Sequence, residues 1–227
     1  REGHMERLRR IYGYLLKFRY AKICFYTHQP DYGDTKCIKQ DWESIYGETR
    51  EYLPTNVPMS LGKPVILTHY VDVNLMHDTL TGRSVRVCSH FLNTIPIDWY
   101  SKKMAIVETA TYGAEFVAAR TCVEQIIDLR NTLRYLGVPI IEKSCMFGDN
   151  ESVVNWFNDI YGKLHKQHNI LSFHFIREAI ASKYVEFVFL NGKDNLADIL
   201  SKHWAHSKVI PCLLYTSDAA DGAHGVD

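Results

Sequence analysis

The six cysteines of this chain, Cys24, Cys37, Cys88, Cys122, Cys145 and Cys212, stand singly, and no Cys-x-x-Cys occurs. That argues against a zinc ribbon or a disulfide framework and suits a reducing, intracellular setting. Net charge is missing too: 26 Lys and Arg balance 26 Asp and Glu. Overall charge therefore gives no push towards nucleic acid, and any such binding must come from local patches. No apolar run approaches the roughly 20 residues of a membrane-spanning helix, and the N-terminus lacks the apolar core of a signal peptide. The chain also begins without an initiator Met and reads as a fragment. Its 227 residues hold one full domain plus an appendage, and 46% hydrophobic content is ordinary for a globular protein.

What is present is led by one long helical pattern, from Thr111 to Leu136. Ala114, Val117, Ala118, Cys122, Ile126, Leu129, Leu133 and Leu136 recur at three- and four-residue steps and mark a buried face. Thr109 or Thr111 can cap its start, Gly137 fits the position just past its end, and Pro139 forbids continuation. Glu115 lies early in this helix between Ala114 and Phe116. A carboxylate there is either a solvated accident or a group kept for chemistry.

Other carboxylates bear on that choice. A strand pattern, Val65 to Asp72, ends on Asp72; another, Ile140 to Gly148, is followed by Asp149; and Asp198 lies in a short helix that Asn195 can cap. Two aspartates at strand ends and two acids on helices can converge at one edge of an α/β sheet. Four such carboxylates repel unless cations lie between them, and oxygen ligands suit Mg²⁺. Rival acids have simpler readings. Glu108 is a partner for the helix N-terminus, Asp78 belongs to a turn, Glu124 and Asp128 form a solvated helix face, and Asp194 competes with Asp198.

At these residues the sequence resembles the ribonuclease H domain of copia-like LTR retrotransposon Pol polyproteins. The resemblance runs in order through Tyr70-Val71-Asp72, His77-Asp78, Gly82-Arg83-Ser84, Trp99 to Lys103, Glu108 to Phe116, Phe147-Gly148-Asp149-Asn150, Phe173 to Glu178 and Leu196 to Lys202, covering about residues 62–205. It implies an α/β, ribonuclease H-like fold: a mixed five-stranded sheet of strand order 3-2-1-4-5, flanked by helices. It also implies hydrolysis of the RNA strand of RNA–DNA hybrids with two Mg²⁺ (or Mn²⁺) ions held by Asp72, Glu115, Asp149 and Asp198, with Asp72 bridging them. The partners implied are the hybrid and the reverse transcriptase region of the same polyprotein, with no membrane, in a cytoplasmic virus-like particle. The rival readings are a non-catalytic hybrid-gripping domain and another two-metal nuclease of the same fold, such as an integrase. Arg83, Lys102, Lys103 and the Lys163/Lys166 loop border the proposed site as substrate contacts, and Asn74 or Asn150 can address 2′-hydroxyls. His165 or His168 is a candidate proton shuttle, and His174 is expected in the core. Departures stand beside the likeness: Val73-Asn74 replaces a small residue followed by an acid, and Phe189-Leu190-Asn191 replaces a segment that often carries His and Pro. The run 155–162 also departs from the usual small, Pro-containing one.

The rest of the chain divides around that domain. Met5, Leu8, Ile11, Tyr12, Leu15 and Leu16 predict an amphipathic first helix with a strongly basic face, resembling the helix that closes the reverse transcriptase region. Residues 1–61 thus read as the end of that region plus a turn-rich connector, with one strand near Ile23 to Tyr26. Strands are expected at Gly62 onward, Val85–Leu92, Ile95–Trp99, Ile140–Met146 and Tyr184–Leu190; helices follow at Asn150–Phe157, Ile170–Ser182 and Asn195–Lys202. Residues 206–227 form a tail, in which 212–221 resembles a translated sequencing adaptor and has no amphipathic period of its own.

Overall fold

The computed structural model describes residues 2–17, 19–20, 28–32, 40–105, 107–108, 111–162 and 169–201. The expected strand near Ile23, the loop carrying Lys163, His165, Lys166 and His168, and the tail lie outside the described residues.

Five strands, β1 (Leu67–Asp78), β2 (Arg83–Leu92), β3 (Ile95–Lys103), β4 (Ser144–Gly148) and β5 (Val185–Phe189), form one sheet in the order β3-β2-β1-β4-β5. β1, β2 and β3 make the antiparallel meander, and β4 and β5 join it in parallel. This is the ribonuclease H-like, mixed α/β sheet that the resemblance implied. The β2–β3 hairpin turns on Asn93, at φ 54°, whose side-chain oxygen accepts from the Ile66 backbone N–H at 2.9 Å. β1 runs six residues past the expected stop at Asp72, because Val73 and Asn74 keep their pairing with Arg86 and Val85. The ladder then shifts before Asp78 pairs with Arg83.

The long helix α3 (Thr111–Tyr135) crosses from the meander to β4. Thr111 is its first residue rather than its cap, and it ends in a left-handed glycine turn: Gly137 has φ 73°, Val138 N–H donates to Leu133 O and Gly137 N–H to Arg134 O. Its buried face follows the expected stripe through Ala114, Ala118, Cys122, Ile126 and Leu133, but Leu136 is exposed and Arg130 is buried in its place. Helices α4 (Glu151–Asn158) and α5 (Ile170–Ala181) complete the layer. Phe116, Phe157 and Phe173 meet there with Trp156, the closest ring pair being Phe116 and Phe157 at 4.3 Å. His174, expected in the core, is exposed. Phe173, Ile176 and Ile180 already form the inward face of α5, and a residue one step from Phe173 points about 100° away from it.

Outside the sheet, α1 (Glu2–Lys17) is helical as expected, and its stripe from Met5 to Leu16 is exposed. The connector holds an unforeseen short helix, α2 (Glu43–Tyr46), and it is docked rather than loose. Arg177 lies over the Trp42 and Tyr46 rings at 5.3 and 5.9 Å, and the Tyr52 backbone N–H donates to Tyr184 Oη at 2.8 Å. No helix among the described residues is long and apolar enough to cross a membrane.

Candidate metal centre

The register of the two central parallel strands sets the site. Their last paired row is Val71 with Gly148, so Asp72 follows directly on β1 and Asp149 directly past the end of β4. Gly148 has to be a glycine there: a Cβ would come within 2.9 Å of the Phe187 ring. Behind Asp149 the chain turns into α4, whose N-cap Asn150 accepts from the Val153 backbone N–H at 3.3 Å. The helix α3 supplies Glu115, held between Ala114 and Phe116, both fully buried. Ligand oxygens of Asp72, Glu115 and Asp149 all lie within 4.8 Å of one another.

The donor set fits a divalent cation. Asp72 and Glu115 are buried, and Asp72 Oδ2 has no hydrogen-bond partner among the described residues. A buried carboxylate oxygen without a donor is costly, and three acids this close repel. A hard cation offsets both penalties, and an all-oxygen set selects Mg²⁺ or Mn²⁺ over softer metals.

Asp198, the fourth expected acid, is outside that group of three. It is buried, opens the four-residue helix α6 (Asp198–Ser201), and packs with it against β1 and β2. Asn195 precedes it in a turn: its side-chain oxygen accepts from Ala197 N–H, and its carbonyl accepts from Asp198 N–H, both at 3.1 Å. The rival acids go elsewhere. Glu108 is buried against the first turn of α3, where any Cβ on Gly113 would collide with it. Asp78 closes the β1–β2 turn, accepting from Leu80 N–H at 3.1 Å and Thr81 Oγ1 at 2.7 Å. Lys103 donates to it at 2.5 Å, and this bond, with those turn bonds, holds the Asp78 carboxyl below its usual range. Glu124 pairs with Arg120 at 2.9 Å on an exposed face.

The expected substrate contacts divide. Arg83, Lys102 and Lys103 are exposed along the ends of β2 and β3. Ser101 stands in the row of Asp72 through Val87, which puts both lysines just beyond that row on the edge strand. Asn74 has both N–H groups engaged, one with the Ser201 carbonyl at 2.6 Å and one with His77 Nδ1 at 3.0 Å. Asn150 caps α4. Residues without sequence signal also shape the site. The Leu190 N–H donates to the Gly148 carbonyl at 3.0 Å, and Gly192 lies so close to Asp149 that a Cβ would stand 3.1 Å from its Oδ2. The only local cue to this approach was a glycine after a strand.

No family model matches the chain. It is 25% identical over 177 residues to the retrovirus-related Pol polyprotein from transposon TNT 1-94 of Nicotiana tabacum, covering 77% of this chain and 13% of that protein. It is 23% identical over 187 residues to the corresponding polyprotein from transposon RE2 of Arabidopsis thaliana, covering 82% and 13%. The chain thus spans 13% of the length of the curated relatives it matches. Among solved structures, LC11-RNase H1 isolated from compost aligns with a TM-score of 0.47 and 18% identity, over 60% of this chain and 91% of that one. By sequence, then, the chain is a relative of Pol polyproteins from plant transposons over about four fifths of its length.

Proposed function

We propose that residues 62–205 are a ribonuclease H domain that cleaves the RNA strand of RNA–DNA hybrids during reverse transcription of a transposon. The observation that carries this reading is the convergence of Asp72, Glu115 and Asp149 within 4.8 Å, with Asp72 Oδ2 buried and unpartnered. Kinship to transposon Pol polyproteins supports the substrate class, and LC11-RNase H1 has been solved in complex with an RNA/DNA hybrid.

In this reading Asp72, Glu115 and Asp149 hold the cations, with Asp198 completing the set from α6. Two bound Mg²⁺ ions would activate the attacking water and neutralise charge on the leaving oxygen. The chain's own part is to hold the three acids together, Asp72 on β1, Asp149 just past the end of β4 and Glu115 on α3. Arg83, Lys102 and Lys103 grip phosphates, which makes binding salt-dependent. Cleavage leaves a 3′-hydroxyl and a 5′-phosphate. Residues 1–61 are read as the end of a reverse transcriptase region with its connector, 206–227 as a tail, and the setting as a cytoplasmic virus-like particle. The test is hydrolysis of an end-labelled RNA–DNA hybrid with Mg²⁺ and with EDTA. Metal-dependent cutting confined to the RNA strand is expected, and an intact hybrid in Mg²⁺ would overturn the reading.

A further inference from the structure

We infer that Asn74 and Asn195 are positioning residues, which clamp α6, and with it Asp198, onto β1 on either side of Asp72. The inference rests on the proposed role of Asp198 as the fourth carboxylate. Its basis is a pair of hydrogen bonds in opposite directions along the chain. Asn195, 3% exposed, donates its side-chain N–H to the Val71 carbonyl at 3.0 Å, one residue before Asp72. Asn74, two residues after Asp72, donates to the Ser201 carbonyl at 2.6 Å. The segment between Asn195 and Ser201 contains Asp198, and it is tied internally: Ser201 Oγ donates to the Asp198 carbonyl at 3.2 Å. Both ends of the acid's segment are therefore fastened to the strand that carries Asp72, and the fasteners flank Asp72 itself.

A four-residue helix has too few internal bonds to hold itself in place, so its position has to come from such contacts. The chemistry of position 74 matters. An amide can donate to a carbonyl, whereas a carboxylate only accepts and would face the Ser201 oxygen with like partial charge. The asparagine that stands where the resembled family commonly has an acid is, in this chain, a donor that the α6 segment uses. Asn195 carries two jobs that can be separated. Its Oδ1 accepts from Ala197 N–H and shapes the turn, and its Nδ2 makes the clamp.

The test uses the full chain and two readouts. The first is metal-free amide exchange, followed by mass spectrometry, in wild type, Asn74→Ala, Asn195→Ala and Asn195→Asp. The last keeps the acceptor for Ala197 and loses the donor to Val71. Exchange in the 195–201 segment is expected to quicken about tenfold in each variant, the effect of one buried hydrogen bond on a local opening. Exchange over 85–92 on β2 should stay at the wild-type rate. Unchanged exchange at 195–201 would overturn the clamp. The second readout is Mn²⁺ binding by electron paramagnetic resonance, compared with Asp198→Asn. Asn74→Ala should weaken the same class of bound ion that Asp198→Asn weakens and leave the other unchanged. Wild-type binding in Asn74→Ala, beside a defect in Asp198→Asn, would overturn the positioning role. If Asp72→Asn/Asp149→Asn bound Mn²⁺ like wild type, the metal centre would fall and the positioning role with it. The exchange rates would still decide the clamp.

Discussion

Glu51 takes the Arg130 guanidinium in a two-pronged grip, Nε to Oε1 at 2.7 Å and Nη2 to Oε2 at 2.8 Å, across 79 residues of sequence. Arg130 is 1% exposed and also donates to Ser144 Oγ at 2.9 Å and to the Glu142 carbonyl at 3.0 Å. Arg134 adds a second fork to the same carboxylate at 2.5 and 2.7 Å. The connector, the long helix and the start of β4 are thus joined through one acid. Removing that acid leaves a buried cation short of its partner, the costly way to break such a pair. Glu51→Ala is expected to lower the unfolding free energy by about 3 kcal/mol, read by urea denaturation. Glu48→Ala, which removes an exposed partner of Arg50, should change it by less than about 0.5 kcal/mol. Equal effects would show that the fork contributes nothing beyond a surface pair.

Asp149→Asn and Glu115→Gln are expected to abolish cleavage of the hybrid while leaving the fold intact, since each removes a proposed cation ligand with little change in volume. Glu108→Gln should keep activity, because Glu108 lies against Gly113 outside the group of three acids. Initial rates with circular dichroism as the folding control decide this. Wild-type cleavage by Asp149→Asn would remove that residue from the site.

These contrasts show what could be read from the sequence and what could not. Asp72 and Asp149 were legible because apolar strand patterns lead directly into them, and Glu115 because helical spacing put it among buried neighbours. The strand order needed the resemblance, since spacing alone does not choose partners. The Glu51–Arg130 pair had no local signature. A lone Arg on an otherwise apolar helix face acquires meaning only from an acid far along the chain. The extension of β1 was hidden by Asn74 and His77, polar residues that read as the end of a strand, whereas cross-strand pairing with β2 carries it on. Asn195 was legible as a cap, but its bond to Val71 is tertiary.

His69 and His90 make a buried pair whose consequence is a loss of stability in mild acid. Their Nδ1 atoms are 2.8 Å apart, and His90 Nε2 is 3.1 Å from Gln125 Oε1. With His90 donating to Gln125, His69 Nδ1–H donates to His90, and His69 Nε2 is left as a buried acceptor without a partner among the described residues. Burial lowers the affinity of both rings for a proton; His90 and Arg130 lower that of His69 further, and the Gln125 bond opposes the shift at His90. Folded-state pKa values below the ordinary 6.5 mean that the unfolded chain binds more protons below that pH. Their contribution is full above it and is lost as pH falls beneath it, by at most about 1.4 kcal/mol per pH unit for each histidine. Glu51 acts in the same direction at lower pH. Burial raises its pKa, the bonds from Arg130 and Arg134 more than offset this, and its contribution is lost only as pH falls through a depressed carboxylate range. Urea denaturation between neutrality and pH of about 5.5 isolates the histidines. His69→Gln/His90→Gln should flatten the slope in that window, and an unchanged slope would assign it to other groups.

Mg²⁺ is expected to stabilise the chain, and the gain should vanish when the carboxylates are neutralised. Without a cation, Asp72, Glu115 and Asp149 hold ligand oxygens within 4.8 Å of one another, and Asp72 Oδ2 has no donor to offset its burial. The folded state carries this penalty and the unfolded chain does not, so a cation that binds only the folded arrangement adds RT ln(1 + [L]/Kd), about 2.7 kcal/mol at a hundredfold excess over Kd. The gain falls to the order of 1 kcal/mol where the ion is only a few-fold above Kd. Neutralising two of the three acids works on both sides of this balance. Asp72→Asn/Asp149→Asn should melt higher than wild type in EDTA, because the repulsion is gone, and should show no further rise in Mg²⁺. The comparison is the melting temperature of both proteins in Mg²⁺ and in EDTA at matched ionic strength, so that screening of surface charge cancels. Equal Mg²⁺ shifts in the two proteins would place the cation elsewhere, and the three acids would then need another reason to converge.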